Sequence, residues 1–266
     1  NFFVFESMFK RLFGKPRSPN FLGIGSPQSG STWLYQNLNL HPDIQFPKKK
    51  ELQFFTQCGD LDIDSYEENF ARLDSRFVGE YSPNYCLLGS KKIEFVHYYV
   101  PKVRLIFIAR NPIDRAWASA RRTMAMLAQK RGVAIEAIPE EEYIEYLSAE
   151  HTYRFNELLN RPFIDAPRQR RSSFYAENIT AWLQVFDESQ LLILNFDDII
   201  SNPLFVLKSS IEHIGASFMP GLNFNVKKIN KNVEVPDSPK IKSFLRSTYA
   251  SEIIKLKSMY PSIFNS

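Results

Sequence analysis

Hydrophobic and polar positions alternate in blocks along this chain. Short apolar, β-rich runs end abruptly in polar turns, and each is followed by a segment of helical period. Three runs read as buried parallel strands: Phe21–Gly25, 103–109 (VRLIFIA) and 191–196 (LLILNF). A weaker fourth covers 77–80. Between them the spacing predicts helices over 31–40, 91–99, 113–126, 175–186 and Pro203–Ile214. In the last of these, Leu204, Leu207, Ile211 and Ile214 share one face, and Gly215 is a stop signal. Strand–helix alternation of this kind predicts an α/β fold: a doubly wound parallel sheet of P-loop-like type with helices on both faces. Ligands of such sheets bind beyond the carboxyl ends of the strands.

The pattern breaks at 127–172, which is more polar. An acidic helix over 136–150 is followed by the basic stretch RPFIDAPRQRR. This region reads as an inserted helical cap on the substrate side. Residues 1–20 read as a lead-in and 21–266 as one domain. The lead-in mixes apolar and basic residues without the clean apolar core and cleavage site of a signal peptide, so it is an amphipathic lead-in or the remnant of a trimmed leader.

The first strand opens the chemistry. It runs into SPQSGSTWL, a Gly/Ser-rich turn with hydroxyls at the helix start. That is the layout of an anion cradle, where backbone N–H groups and a helix N-terminus hold a phosphate. The spacing Gly25-x-x-x-x-Gly30 matches the nucleotide P-loop, but Ser31 stands where that motif has Lys. The turn therefore predicts phosphate binding and argues against an ordinary ATP or GTP site. A Ser-rich helix cap needs one hydroxyl; Ser29, Ser31 and Thr32 around Gly30 supply three, which favours a ligand.

Other candidates depend on context. Trp33 can stack on a base or belong to the core. Arg110, ending the second long strand, can clamp a phosphate bidentately or form a structural ion pair. On the helix that follows, Arg115, Ser119 and Arg122 share a face. Glu51, after Lys48, Lys49 and Lys50 and before an apolar Leu-Gln-Phe-Phe run, is either a general base or part of a charged surface cluster. Asp197 and Asp198 follow a strand and suit a helix cap better than a metal. His41, before a proline, caps or packs locally.

Composition narrows the class. Among 266 residues, 44% hydrophobic content with 23 Phe and 12 Tyr supports a large aromatic-rich core. A net charge of +4 favours anionic ligands only where basic residues cluster. Nothing suggests nucleic acid. No run reaches the roughly 20 apolar residues of a membrane span. Cys58 and Cys86 form no metal-binding pattern and read as free thiols, with a single disulfide as the alternative. With no span and no cysteine framework, a cytoplasmic compartment is expected; a Golgi-type lumenal one is the alternative if the N-terminus is a truncated anchor.

The ordered set GSPQSGSTWL, LHPDIQFPKKKELQFF, RLIFIARNPIDRAW and SFYAENITAWLQVF resembles sulfotransferases that use 3′-phosphoadenosine 5′-phosphosulfate (PAPS). The likeness is to the heparan sulfate sulfotransferase-like branch and its bacterial relatives. It implies that Gln28, Ser29, Gly30, Ser31 and Thr32 hold the 5′-phosphosulfate and that Trp33 stacks on adenine. It implies further that Arg110 holds the 3′-phosphate, with Tyr175 near the nucleotide. Lys227, Lys228 and Asn230 fall where the family has a basic loop closing over the donor. Glu51 falls on the catalytic base, which takes a proton from an acceptor hydroxyl or amine of a glycan, lipid or small metabolite. The basic stretch in the insertion hints that this acceptor is anionic. No metal is implied.

Two positions depart from the family. Its Lys or Arg two residues before the loop glycine is here Gln28, which donates a hydrogen bond but brings no charge. Loss of one such interaction costs roughly two to three orders of magnitude in rate, by analogy with an oxyanion donor. That leaves a PAPS-binding protein with weak turnover as the alternative, unless the neighbouring Lys48, Lys49 or Lys50 supplies the charge. The family serine eight residues after the Arg is here Ala118, with Ser119 one position later, about 100° around the helix.

Overall fold

The computed structural model describes residues 17–57, 61–148, 171–227 and 238–264. Five strands form one all-parallel sheet in the order β2-β3-β1-β4-β5: β1 (Phe21–Gly25), β2 (Ile44–Gln45), β3 (Phe77–Tyr81), β4 (Arg104–Ala109) and β5 (Leu191–Asn195). β1 is central, pairing with β3 on one side and β4 on the other. The chain steps from β1 to the β2/β3 side and later crosses to β4. The carboxyl end of β1 therefore lies where the winding reverses, the usual ligand position in such sheets.

Alternating side chains feed two cores, one on each face. Leu22 and Ile24 of β1, with Leu105 and Phe107 of β4, face a core that includes Ile93 and Val96 of α3 (Ser90–Tyr99). Ile179 and Trp182 of α6 (Tyr175–Leu183) join them. Phe21, Ile106, Ile108 and Leu194 face the other core. It is closed by Trp33, Leu34 and Leu38 of α1 (Ser31–Leu38) and by Val206, Leu207, Ile211 and Ile214 of α8 (Pro203–Ile214). The expected doubly wound sheet is the one observed. Its close packing is visible at Gly23, where a Cβ would come within 2.2 Å of the Tyr81 ring.

A third cluster joins α4 (Pro112–Arg131), α5 (Glu140–Leu147) and α9 (Pro239–Met259). α5 is the described part of the expected acidic helix; 149–170 lie outside the described residues, as do residues 1–16 of the lead-in. Four elements escape the sequence pattern. β2 has two residues and α2 (Ile63–Glu68) six, too short for a period to show. The long α9 buries Ile241, Leu245, Tyr249 and Leu256, a narrow stripe among many charges. The short α7 (Phe196–Ser201) takes Phe196 from the expected end of β5 and carries Asp197 and Asp198 in its first turn. Asn195 caps it by accepting from the Asp197 N–H.

Candidate active site

β1 ends at Gly25, and the turn 26–30 delivers the chain into α1. Gly30 caps that helix at φ 85°, and a Cβ there would stand 2.7 Å from Ile199 Cδ1. Glycine meets both demands. No side chain caps α1 and no acidic residue lies in its first turn. The unpaired N–H groups of a helix start and its partial positive charge are thus left to an anion.

The turn is fastened from beneath by neutral hydroxyls. Ser26 Oγ lies 2.6 Å from Ser29 Oγ, 3.1 Å from the Ile108 carbonyl oxygen and 3.2 Å from the Tyr175 hydroxyl. All three side chains are buried. Burial pushes the Tyr175 phenol above its ordinary pKa, keeping it a neutral hydrogen-bonding group. Tyr175 therefore supports the turn itself. In the sequence Ser26 is one more serine until β4 and α6 close around it.

Arg110 follows β4 at the same end of the sheet. Its Nη1 donates to the Gln28 carbonyl at 2.9 Å, and its guanidinium lies over the Phe196 ring at 4.3 Å. Burial lowers its pKa and Asp114 opposes that shift; an arginine stays cationic regardless. Asn111 caps α4 by accepting from the Ile113 N–H, with Pro112 in the first turn, so the position of Arg110 is fixed by strand and helix together. Gln28 itself has a left-handed backbone, φ 64°.

The segment that carries Glu51 is irregular chain. Glu51 and Gln53 both adopt left-handed backbones, at φ 62° and 58°. Such conformations are strained for residues with a Cβ and persist where surroundings hold them. Here the holder is Glu80, buried at the end of β3. Its Oε1 accepts from the hydroxyls of Tyr66 (2.8 Å) and Tyr85 (2.6 Å), and its Oε2 from that of Ser82 (2.7 Å). Ser82 Oγ in turn accepts from the Gln53 N–H at 3.1 Å, two residues from Glu51. Burial raises the Glu80 pKa, while hydrogen bonds from Tyr85, Ser82, Tyr66 and the Leu52 backbone pull it down. A carboxylate inside a strand was its one trace in the sequence.

The two sides meet at Lys50. Its Nζ is 3.0 Å from Thr32 Oγ1 and 2.9 Å from Glu51 Oε1. The structure thus brings together Gln28, Ser29, Gly30, Ser31, Thr32, Arg110 and Glu51, with Tyr175 underneath.

Other expected residues have different surroundings. Trp33 is 4% exposed, sits in the core and donates its indole N–H to the Asn225 carbonyl at 2.9 Å. Asn37 grips the same residue, accepting its N–H at 2.7 Å and donating to its carbonyl at 3.1 Å. Together they anchor the chain just before Lys227, which is exposed; Lys228 and Asn230 lie outside the described residues. Ser119 is buried against α5, its hydroxyl 3.1 Å from that of Tyr146, while Ala118 is half-buried. Arg122 is exposed although Arg115, on the expected common face, is buried. His41 is tied locally through Nδ1, which accepts from the Asp43 N–H, and its Nε2 reaches the distant Ser217 carbonyl oxygen at 3.0 Å. Cys86 is buried and Cys58 lies outside the described residues.

Residues 18–255 match the sulfotransferase domain family model. The chain belongs to that family. This sulfotransferase-family chain is 26% identical over 191 residues to heparan sulfate glucosamine 3-O-sulfotransferase 6 of Mus musculus, covering 71% of this chain and 50% of the relative. It is 24% identical over 242 residues to carbohydrate sulfotransferase 15 of Homo sapiens, covering 71% and 42%. The chain thus spans half or less of these relatives' lengths. A sulfotransferase structure from Alicyclobacillus acidocaldarius superposes with a TM-score of 0.69, covering 91% of this chain and 96% of that one at 23% identity, a likeness of fold. PAPS is the general donor of sulfotransferases. Among the described residues no helix is long and apolar enough to cross a membrane.

Proposed function

We propose that this protein transfers a sulfuryl group from PAPS to a hydroxyl or amine of a glycan, with Glu51 as general base. One observation carries the reading: a single ammonium, on Lys50, touches both Thr32 of the phosphate cradle and Glu51. Base and cradle therefore face one small space, as in-line attack requires.

The residues present suit an anionic donor. An uncapped helix start without acids, the guanidinium of Arg110 and the ammonium of Lys50 line one end of the sheet. The donor supplies an activated sulfuryl group with a phosphate leaving group. Ser29, Gly30, Ser31 and Thr32 would receive its 5′-phosphosulfate and Arg110 its 3′-phosphate. Lys227, Lys228 and Asn230 would close over it, and residues 127–172 would cover the acceptor side. Within that insertion α5 packs against α4 and α9. Glu51 accepts the acceptor's proton as the new bond to sulfur forms, while the old sulfur–oxygen bond breaks with its electron pair passing to the phosphate oxygen. The glycan acceptor rests on what the two curated relatives are named for.

The test is incubation with radiolabelled PAPS and a panel of glycan and small-molecule acceptors, alongside Glu51→Gln. We expect label transfer by wild type and a loss of roughly 10²- to 10⁴-fold in the variant. Wild type that binds the donor yet transfers to nothing contradicts the reading. That outcome favours a second one, drawn from the neutral Gln28: a protein that holds PAPS, or its product adenosine 3′,5′-bisphosphate, with weak turnover.

A further inference from the structure

We propose that Lys50 is a catalytic residue, the cation that takes the place of the charge missing at Gln28, and that it meets the donor's 5′-phosphate. The inference rests on the PAPS reading above and names a residue that reading does not require.

Three lysines precede Glu51, and the structure separates them. Lys48 and Lys49 are exposed. Lys50 is turned inward, its side chain 22% exposed, with Nζ on Thr32 Oγ1 and Glu51 Oε1 and 5.9 Å from the Tyr35 ring centroid. Thr32 is the second residue of α1, so the ammonium stands at the helix start where the phosphate cradle opens. Among the described residues its hydrogen bonds use two of three N–H donors, which leaves a direction for a ligand oxygen. Gln28, at the position of the family cation, offers only an uncharged side chain.

The arrangement also fits the charge flow of the reaction. Before transfer, the Glu51 carboxylate balances the ammonium and holds it at the cradle. During transfer the acceptor's proton passes to Glu51 and cancels that negative charge. Meanwhile the electron pair of the breaking sulfur–oxygen bond arrives on the 5′-phosphate oxygen. Lys50 keeps its protons throughout and exchanges its partner, Glu51 for the phosphate. A positioned cation of this kind stabilises charge that develops only in the transition state.

The experiment compares wild type, Lys50→Met, Lys50→Arg and the double variant Lys50→Met/Gln28→Lys. Calorimetry first measures binding of adenosine 3′,5′-bisphosphate and of adenosine 3′-monophosphate. We expect Lys50→Met to weaken the bisphosphate roughly 10- to 100-fold, the worth of a charged hydrogen bond, and to leave the 3′-monophosphate unchanged. In the transfer assay kcat should fall by roughly two to three orders of magnitude. Lys50→Arg should keep most of it, and Gln28→Lys should restore the double variant. Equal weakening of both nucleotides means a structural role and overturns the proposal. So does wild-type affinity and rate in Lys50→Met. Wild type that binds neither nucleotide overturns the donor reading and this inference with it, whereas wild type that binds the bisphosphate with Lys50→Met unchanged overturns this inference alone.

Discussion

The two walls of the proposed site are held in opposite ways. The wall proposed to hold the donor is a turn between a central strand and a helix, and its supports are backbone geometry and neutral hydroxyls: Gly30, Ser26, Ser29 and Tyr175. The wall that carries the proposed base has almost no regular structure around Glu51. It depends on one buried carboxylate, Glu80, that gathers three hydroxyls and through Ser82 fixes the Gln53 backbone. A wall built on secondary structure spreads its support over many bonds. A wall built on one buried carboxyl group concentrates it, so removing that group strands several hydroxyl donors.

That contrast is open to attack. The largest effect should come on the donor wall from its charge: Arg110→Met should weaken adenosine 3′,5′-bisphosphate by roughly 10- to 100-fold in calorimetry. The 5′-monophosphate, lacking the group Arg110 is proposed to hold, should be affected far less. Equal losses would make Arg110 a support of the Gln28 turn instead. On the base wall, Glu80→Gln turns an acceptor into a donor facing hydroxyl donors. It should cost about 1–3 kcal/mol in denaturant unfolding and lower kcat with little change in bisphosphate affinity. An unchanged unfolding midpoint would show the wall is not held by Glu80.

The same residue gives a pH signature. Its folded pKa is raised above the ordinary 4.5, mainly by burial. Its contribution to stability is therefore fully present below pH 4.5 and is lost as pH rises through the folded value. The stability difference between wild type and Glu80→Gln should shrink as pH rises from 4.5; a difference that grows contradicts the assignment. The smallest effect belongs to the distributed wall. Tyr175→Phe removes one hydroxyl from the Ser26 cluster and should cost about 1 kcal/mol, read as a small drop in melting temperature with bisphosphate binding retained.

The same difference explains what the sequence discloses. β1 and most of β4 are buried on both faces and β5 is buried or half-buried, so each shows as an apolar run, and the hydroxyl-rich turn follows β1 directly. These are local signals. Glu80 is intelligible only with Tyr66, Tyr85 and Ser82 placed around it, and none of those contacts has a periodicity. Lys50 is one lysine among three until the left-handed turn at Glu51 sends it to Thr32. Trp33 shows the converse: a residue beside the cradle whose indole the fold spends on Asn225. α9 was readable in principle, with Ser238 as cap and Pro239 behind it, but its one buried stripe is diluted by lysines and serines.

Both walls are proposed to address one bound donor. A crystal structure with adenosine 3′,5′-bisphosphate tests it most directly. The 5′-phosphate should lie on the amides of residues 29–32 with Lys50 turned to it, the 3′-phosphate on Arg110, and Glu51 should face the open side of the 5′-phosphate. A bisphosphate bound away from the carboxyl end of β1, or bound there with Glu51 and Lys50 directed elsewhere, would contradict it.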